Sequence, residues 1–184
     1  MSTMLDMLGS FIIGGLLLIM ILSYNTNFAN MTLEDQFELS VQENMVLLVE
    51  EMDFNFRKIG YGVANPWLSI VNGDTSGITF RADVDNDGVI DVVNYQLSTT
   101  DAAIGTENPN DSILYSTLNG VTIGGTFGVT DFQVRYYDAG GNQVTDMTLV
   151  RYLEYEMTFE SIMPVNSVYA RSVWTGTVYP RNLF

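Results

Sequence analysis

The residues best placed to do chemistry in this chain form an acidic run. Residues 83–94 read DVDNDGVIDVVN. Carboxylates stand at Asp83, Asp85, Asp87 and Asp91, Gly88 follows the third, and Asn94 holds the twelfth position. A hard divalent cation takes six to eight oxygen ligands, and alternating aspartates on a tight turn supply them. On this reading Asp83, Asp85 and Asp87 donate carboxylates and Gly88 permits the sharp turn. The Val89 carbonyl ligates, and Asp91 binds directly or through water. Asn94 stands where many such loops have a second anchoring acid. The competing reading is a solvated acidic turn, but four like charges this close repel one another without a counter-ion. The expected ion is Ca²⁺. The flanking runs Ile78-Thr79-Phe80 and Val92-Val93-Asn94-Tyr95 are strand-like, so the expected site is a clip in a hairpin with a stabilising role.

The second chemically loaded residue is Asp6. It precedes Met7–Leu22, MLGSFIIGGLLLIMIL, sixteen residues without a charge. A membrane-spanning helix needs roughly 17–25 apolar residues, a length reached if Met4 and Leu5 are included. A carboxylate near the bilayer interior costs a few kcal/mol unless paired. The nearest cation in sequence is the free α-amino group, of the same chain or of a neighbouring copy. Pairing with a neighbour's amine would set the register of an assembly. Gly9, Gly14 and Gly15 allow close helix approach or local unwinding. A signal peptide is disfavoured, because no basic residue precedes the run and no A-x-A pattern follows it.

Composition removes other chemistries. The 184 residues include no cysteine and no histidine, with 22 acidic and 7 basic side chains and a net charge of −15. There is no thiol nucleophile, disulfide, thiolate metal site or imidazole base. The charge disfavours nucleic acid as a primary ligand. Glu154 and Glu156 share one strand face and read as a solvated surface; no nucleophile and base pair off, so an enzyme is not expected. Charge also divides the chain: residues 1–56 hold eight acids and no Lys or Arg, and the first base is Arg57.

These residues need elements to position them. Leu33, Phe37, Val41, Met45, Leu48, Met52, Phe56 and Ile59 recur in steps of three and four, the helical period. Thr32 is placed to cap this helix, Arg57 and Lys58 lie in its last turn, and Gly60 is placed to end it. The expected division is an apolar helix over 1–30, its amphipathic continuation over 31–60, and a β-rich head over 61–184. Helix is expected from about residue 3 to 59, loosened at Gly14-Gly15 or at the joint Ser23–Asn27. Strands are expected over 77–82, 89–98, 112–118, 132–137, 152–160 and 172–178. An antiparallel sheet laid across the amphipathic helix makes an α+β fold. Tyr136, Tyr137, Tyr152, Tyr155, Tyr169 and Tyr179 are read as sheet packing rather than an electron-conducting stack. Asn30-Met31-Thr32 and Asn110-Asp111-Ser112 are glycosylation sequons.

Taken in order, these features resemble the type IV pilin superfamily, including minor pilins and secretion pseudopilins. The resemblance rests on the apolar N-terminal helix, the early acid Asp6 and the amphipathic continuation. It extends to Arg57-Lys58-Ile59-Gly60-Tyr61-Gly62, to Ile78–Asp83 running into the acidic loop, to Phe132–Asp138, and to Pro180-Arg181-Asn182-Leu183. Asp stands where the family has Glu, and the usual first aromatic residue is missing. The resemblance implies a structural subunit of an extracellular filament, inserted in the cytoplasmic membrane before assembly. Its partners would be lipid, copies of itself and an assembly machinery, with Asp6 neutralising a neighbour's N-terminal amine. Two alternatives are a minor pseudopilin that primes or tips a secretion or pilus machine, and a monomeric membrane-anchored calcium-binding adhesin.

Overall fold

In the computed structural model, which describes residues 2–184, the chain opens with a single helix, α1 (Ser2–Arg57). It runs unbroken through Gly14-Gly15 and through Ser23–Asn27, so the expected loosening is absent at both places. The polar residues of the helix fold their hydroxyls back onto the backbone instead of interrupting it. Ser10 Oγ donates to the Asp6 carbonyl at 2.8 Å, Thr26 Oγ1 to Leu22 at 3.0 Å and Thr32 Oγ1 to Phe28 at 3.0 Å. Thr32 is therefore not an N-cap: a cap serves free N–H groups at a helix end, and inside a continuous helix none are free. The helix stops at Arg57, two residues earlier than expected. Gly60 and Gly62, with φ of +80° and +75°, then turn the chain back toward the sheet.

Seven strands follow: β1 (Ile70–Gly73), β2 (Gly77–Ala82), β3 (Asp91–Leu97), β4 (Ser112–Leu118), β5 (Val121–Tyr137), β6 (Tyr152–Glu160) and β7 (Arg171–Val178). They form one antiparallel sheet in chain order, the topology of a meander. β2, β4 and β6 have the expected bounds. β3 starts two residues late because Val89 and Ile90 stay in the acidic loop. β1 was not expected, and β5 begins at Val121 rather than Phe132. The sheet curls, so that the Val134 N–H reaches the Thr75 carbonyl at 3.0 Å and Tyr136 Oη donates to Gly77 at 3.0 Å. Tyr137, Tyr152 and Tyr179 stack with ring centroids 4.9 and 4.8 Å apart.

The helix packs across β6 and β7 with one stripe. Val41, Met45, Leu48, Val49, Met52 and Phe56 are buried on it, and Ile59 is buried just past its end. Phe56 sits at the centre, edge-on to Phe80, Tyr95 and Tyr155 at 5.9, 5.6 and 5.5 Å. Edge-to-face pairing adds to the energy of burial. The tyrosines keep their hydroxyls satisfied by polar groups of α1. Tyr155 Oη donates to Asp53 Oδ1 at 2.7 Å and Tyr95 Oη to Glu51 Oε1 at 3.0 Å. Burial raises the phenol pKa of both above its ordinary value, and the adjacent carboxylates push the same way. The two earliest residues of the expected stripe lie outside this packing: Leu33 is exposed and Phe37 half-buried.

Candidate functional site: an acidic turn and an unpartnered helix

The acidic turn joins β2 to β3. Asp83 directly follows β2 and Asp91 opens β3; both are buried, 6% and 7% exposed, while Asp85 lies between them on the surface. One carboxylate oxygen from each lies within 4.8 Å of the others. Oxygens around a single ion at 2.3–2.6 Å can stand about 5 Å apart, so this spacing suits a shared metal ion. Asp83 supplies the clearest sign. Its Oδ2 accepts the Gly88 N–H at 3.0 Å, but Oδ1 is buried with no hydrogen-bond partner among the described residues. A buried carboxylate oxygen without a partner is costly, and a cation would remove that cost.

The remaining predicted ligands are placed differently. The Asp87 carboxylate is not one of the three that converge; its Oδ1 accepts the Val89 N–H at 2.7 Å and shapes the turn. Asp85 Oδ1 likewise accepts the Asp87 N–H at 3.2 Å. Gly88 has φ +85°, as the sharp turn demands, and Asn86 has φ +66°. Asn94 lies inside β3, paired with Thr79 and Thr117. Alternation along the strand puts it on the face opposite Asp91. Its Oδ1 is also buried without a partner among the described residues.

Three supporting residues lie outside the acidic motif. Asn119 Nδ2 donates to Asp91 Oδ1 at 2.8 Å, and Asn119 Oδ1 accepts the Val92 N–H at 2.8 Å. Asn119 belongs to the β4–β5 turn, so a second hairpin braces the acidic one. Lys58 Nζ donates to the Val84 carbonyl and lies 4.4 Å from the Phe54 ring centroid. Gly62 packs so closely that a Cβ there would stand 3.1 Å from Asp83 Cβ and 3.2 Å from Ile90 Cδ1. The Gly60 N–H bonds the Arg81 carbonyl and the Asp83 N–H bonds Tyr61, at 3.0 and 2.9 Å. The turn thus fastens the end of α1 to the sheet. The Asn119-Gly120 dipeptide, a strong hairpin signal, was the one legible pointer to any of this.

The other feature is the first half of α1. Its most apolar 18-residue window has mean hydropathy 2.3 and is 0% buried, so this helix is long and apolar enough to cross a membrane. Side chains on every side are exposed, among them Phe11, Ile12, Leu17 and Met20. A Cβ added at Gly14 or Gly15 would meet nothing within 4 Å among the described residues, which leaves both open to a neighbour. Asp6 is exposed, one turn below Ser10. Met1 lies outside the described residues.

Helix, sheet and turn together define a class by architecture: a long apolar N-terminal helix packed on a seven-stranded antiparallel meander, with three carboxylates converging in an acidic turn. Comparison with known proteins returns no matching family model, curated protein or solved structure.

Proposed function

We propose that the chain is a structural subunit of a type IV pilus-like extracellular filament, membrane-inserted before assembly, and not an enzyme. The observation that carries this reading is the N-terminal half of α1. It is apolar all round, and none of the described residues outside it covers it. Such a helix must be buried in lipid or among other helices, and a filament core of like helices serves both states in succession. Asp6 supports the reading because it is the only charged side chain before Glu34. A lone carboxylate in an apolar bundle calls for a cation, and the α-amino group of another copy supplies one.

Within this reading the acidic turn holds Ca²⁺ through Asp83, Asp85 and Asp91. The donors are all hard oxygens, which suits Ca²⁺ better than a softer ion. The ion would tie β2, β3 and the end of α1 together in a chain with no disulfide.

Electron microscopy of the assembled material tests the filament. Asp6→Ala is expected to abolish or sharply reduce fibres while the melting of the head stays as in the parent. Fibres in normal yield from that variant would sink the charge-pairing role.

A further inference from the structure

We propose that the turn Ser161–Ala170 is a second membrane contact, on which the head rests against the lipid headgroup layer while α1 spans the bilayer. This rests on the reading of α1 as a membrane anchor and adds a contact made by the head. The turn is a tight hairpin. Val165 and Val168 exchange both backbone hydrogen bonds at 2.9 Å, and the two central residues Asn166 and Ser167 have φ of +50° and +66°. It reaches down α1, where Asn166 Oδ1 accepts from Asn30 Nδ2 at 3.2 Å.

The level of Asn30 decides what surrounds the turn. No charged residue occurs from Met7 to Leu33, a stretch of 27 residues. At 1.5 Å per residue this is about 40 Å. A bilayer is roughly 30 Å thick in its hydrocarbon and 40–45 Å with its headgroups. The uncharged length therefore matches the full bilayer, with Asp6 at one surface and Glu34 at the other. Asn30 lies inside that length, four residues from its end, at headgroup depth. Tyr24 and Phe28 are exposed on the same stretch, the kind of residue enriched at this depth.

The turn has the chemistry for such surroundings. Ser161–Ala170 carries no charge in a chain of net charge −15. It exposes Ile162, Met163 and Val168, at 46%, 41% and 62%. Exposed apolar side chains at the membrane-facing end of an acidic head are costly in water and favourable at a lipid interface. The acidic turn sits at the opposite end of α1's buried stripe, beside Lys58. It provides an internal control.

The absence of cysteine permits a direct test on the full chain. Single cysteines at Val168, Met163, Val89 and Ile19 are labelled with an environment-sensitive fluorophore, and each protein is reconstituted at high lipid-to-protein ratio in phosphatidylcholine vesicles. Lipids carrying a shallow doxyl quencher are then added. Labels at Val168 and Met163 are expected to shift to the blue and to be quenched at least twofold more than the label at Val89. Quenching at Ile19 with none at Val168 or Met163 overturns the contact and leaves the anchor intact. A blue shift without lipid quenching, growing with protein density, assigns the turn to another copy and also overturns it. Failure at Ile19 itself removes the anchor, and the contact with it.

Discussion

The two halves of α1 share one unbroken backbone and obey different rules. From Val41 onward one stripe is buried, and the sheet supplies everything it touches. Before Leu22 every face is apolar, and among the described residues nothing covers any of them. Both halves are helical because their residues propagate a helix, yet only the second is stabilised by tertiary packing, the usual source of helix stability in water. The first half carries its stability requirement outside the molecule. The comparison teaches that the head's fold and the helix's burial are separate problems, met by separate sets of residues.

The sharpest way to break that separation is a pair of core-sized truncations. Phe56→Ala removes the ring at the centre of the aromatic cluster and should cost the head about 3–5 kcal/mol, read as a loss of melting temperature. Leu17→Ala in the first half should change head stability by less than about 0.5 kcal/mol. Equal effects would show that the halves are not independent.

Removing the cation comes next. With the site filled at a hundredfold over its dissociation constant, chelation should lower head stability by about 2.7 kcal/mol. Asp85→Ala should reproduce the loss and make the melt insensitive to chelator. A melt unmoved by chelator in the parent would mean an empty acidic turn.

The link between Tyr155 and Asp53 gives a smaller effect. Tyr155→Phe removes the donor to Asp53 Oδ1, leaving Asp53 only its ion pair with Arg57, and should cost about 1 kcal/mol. The same phenol predicts a pH dependence. Its folded pKa is raised above the unfolded value of about 10, by burial first and by Asp53 second. The stability it contributes is therefore complete below pH 10 and is lost as pH rises beyond it. Alkaline melting curves should show that loss in the parent and less of it in Tyr155→Phe. The smallest effect is expected at Arg135, which lies 2.9 Å from Glu154 and 3.4 Å from Glu156 on the outer sheet face. Arg135→Gln should weaken the head slightly at low salt and not at high salt, because exposed pairs are screened.

Much of this was legible in the sequence where one period or one motif decides the matter. The steps of three and four from Val41 to Ile59 named the buried stripe, and the strand expected over 132–137 is the part of β5 that buries Phe132, Val134 and Tyr136. What escaped was settled by context. Leu33 and Phe37 continue the same period, yet Leu33 is exposed and Phe37 only half-buried although the Ser161–Ala170 turn reaches Asn30; a period cannot say which side chains a partner covers. The first half of β5 contains Gly124, Gly125 and Gly128 and reads as a loop. It is a strand because β4 pairs with it, Tyr115 lying over Gly125. At the acidic turn the aspartate pattern pointed to the place where the carboxylates of Asp83, Asp85 and Asp91 converge. Asp87 is used by the turn's own backbone, and Asn94 falls on the far face of its strand. The loop's braces, Asn119 and Lys58, come from turns distant in sequence, which no local spacing encodes.

The unbroken run of α1 has a mechanical consequence. Its 56 residues make a rod about 84 Å long, with no hinge at the glycine pair or at the asparagine-rich joint. A rod fixed in a bilayer is a lever. A ten-degree change of tilt at the anchored end would sweep the far end, where Lys58 meets the acidic turn, through about 15 Å. Force applied to the head would reach the N-terminal end of α1 along helical hydrogen bonds without a compliant segment to absorb it. The turn at Asn30 would then act as a stop that limits the swing on one side.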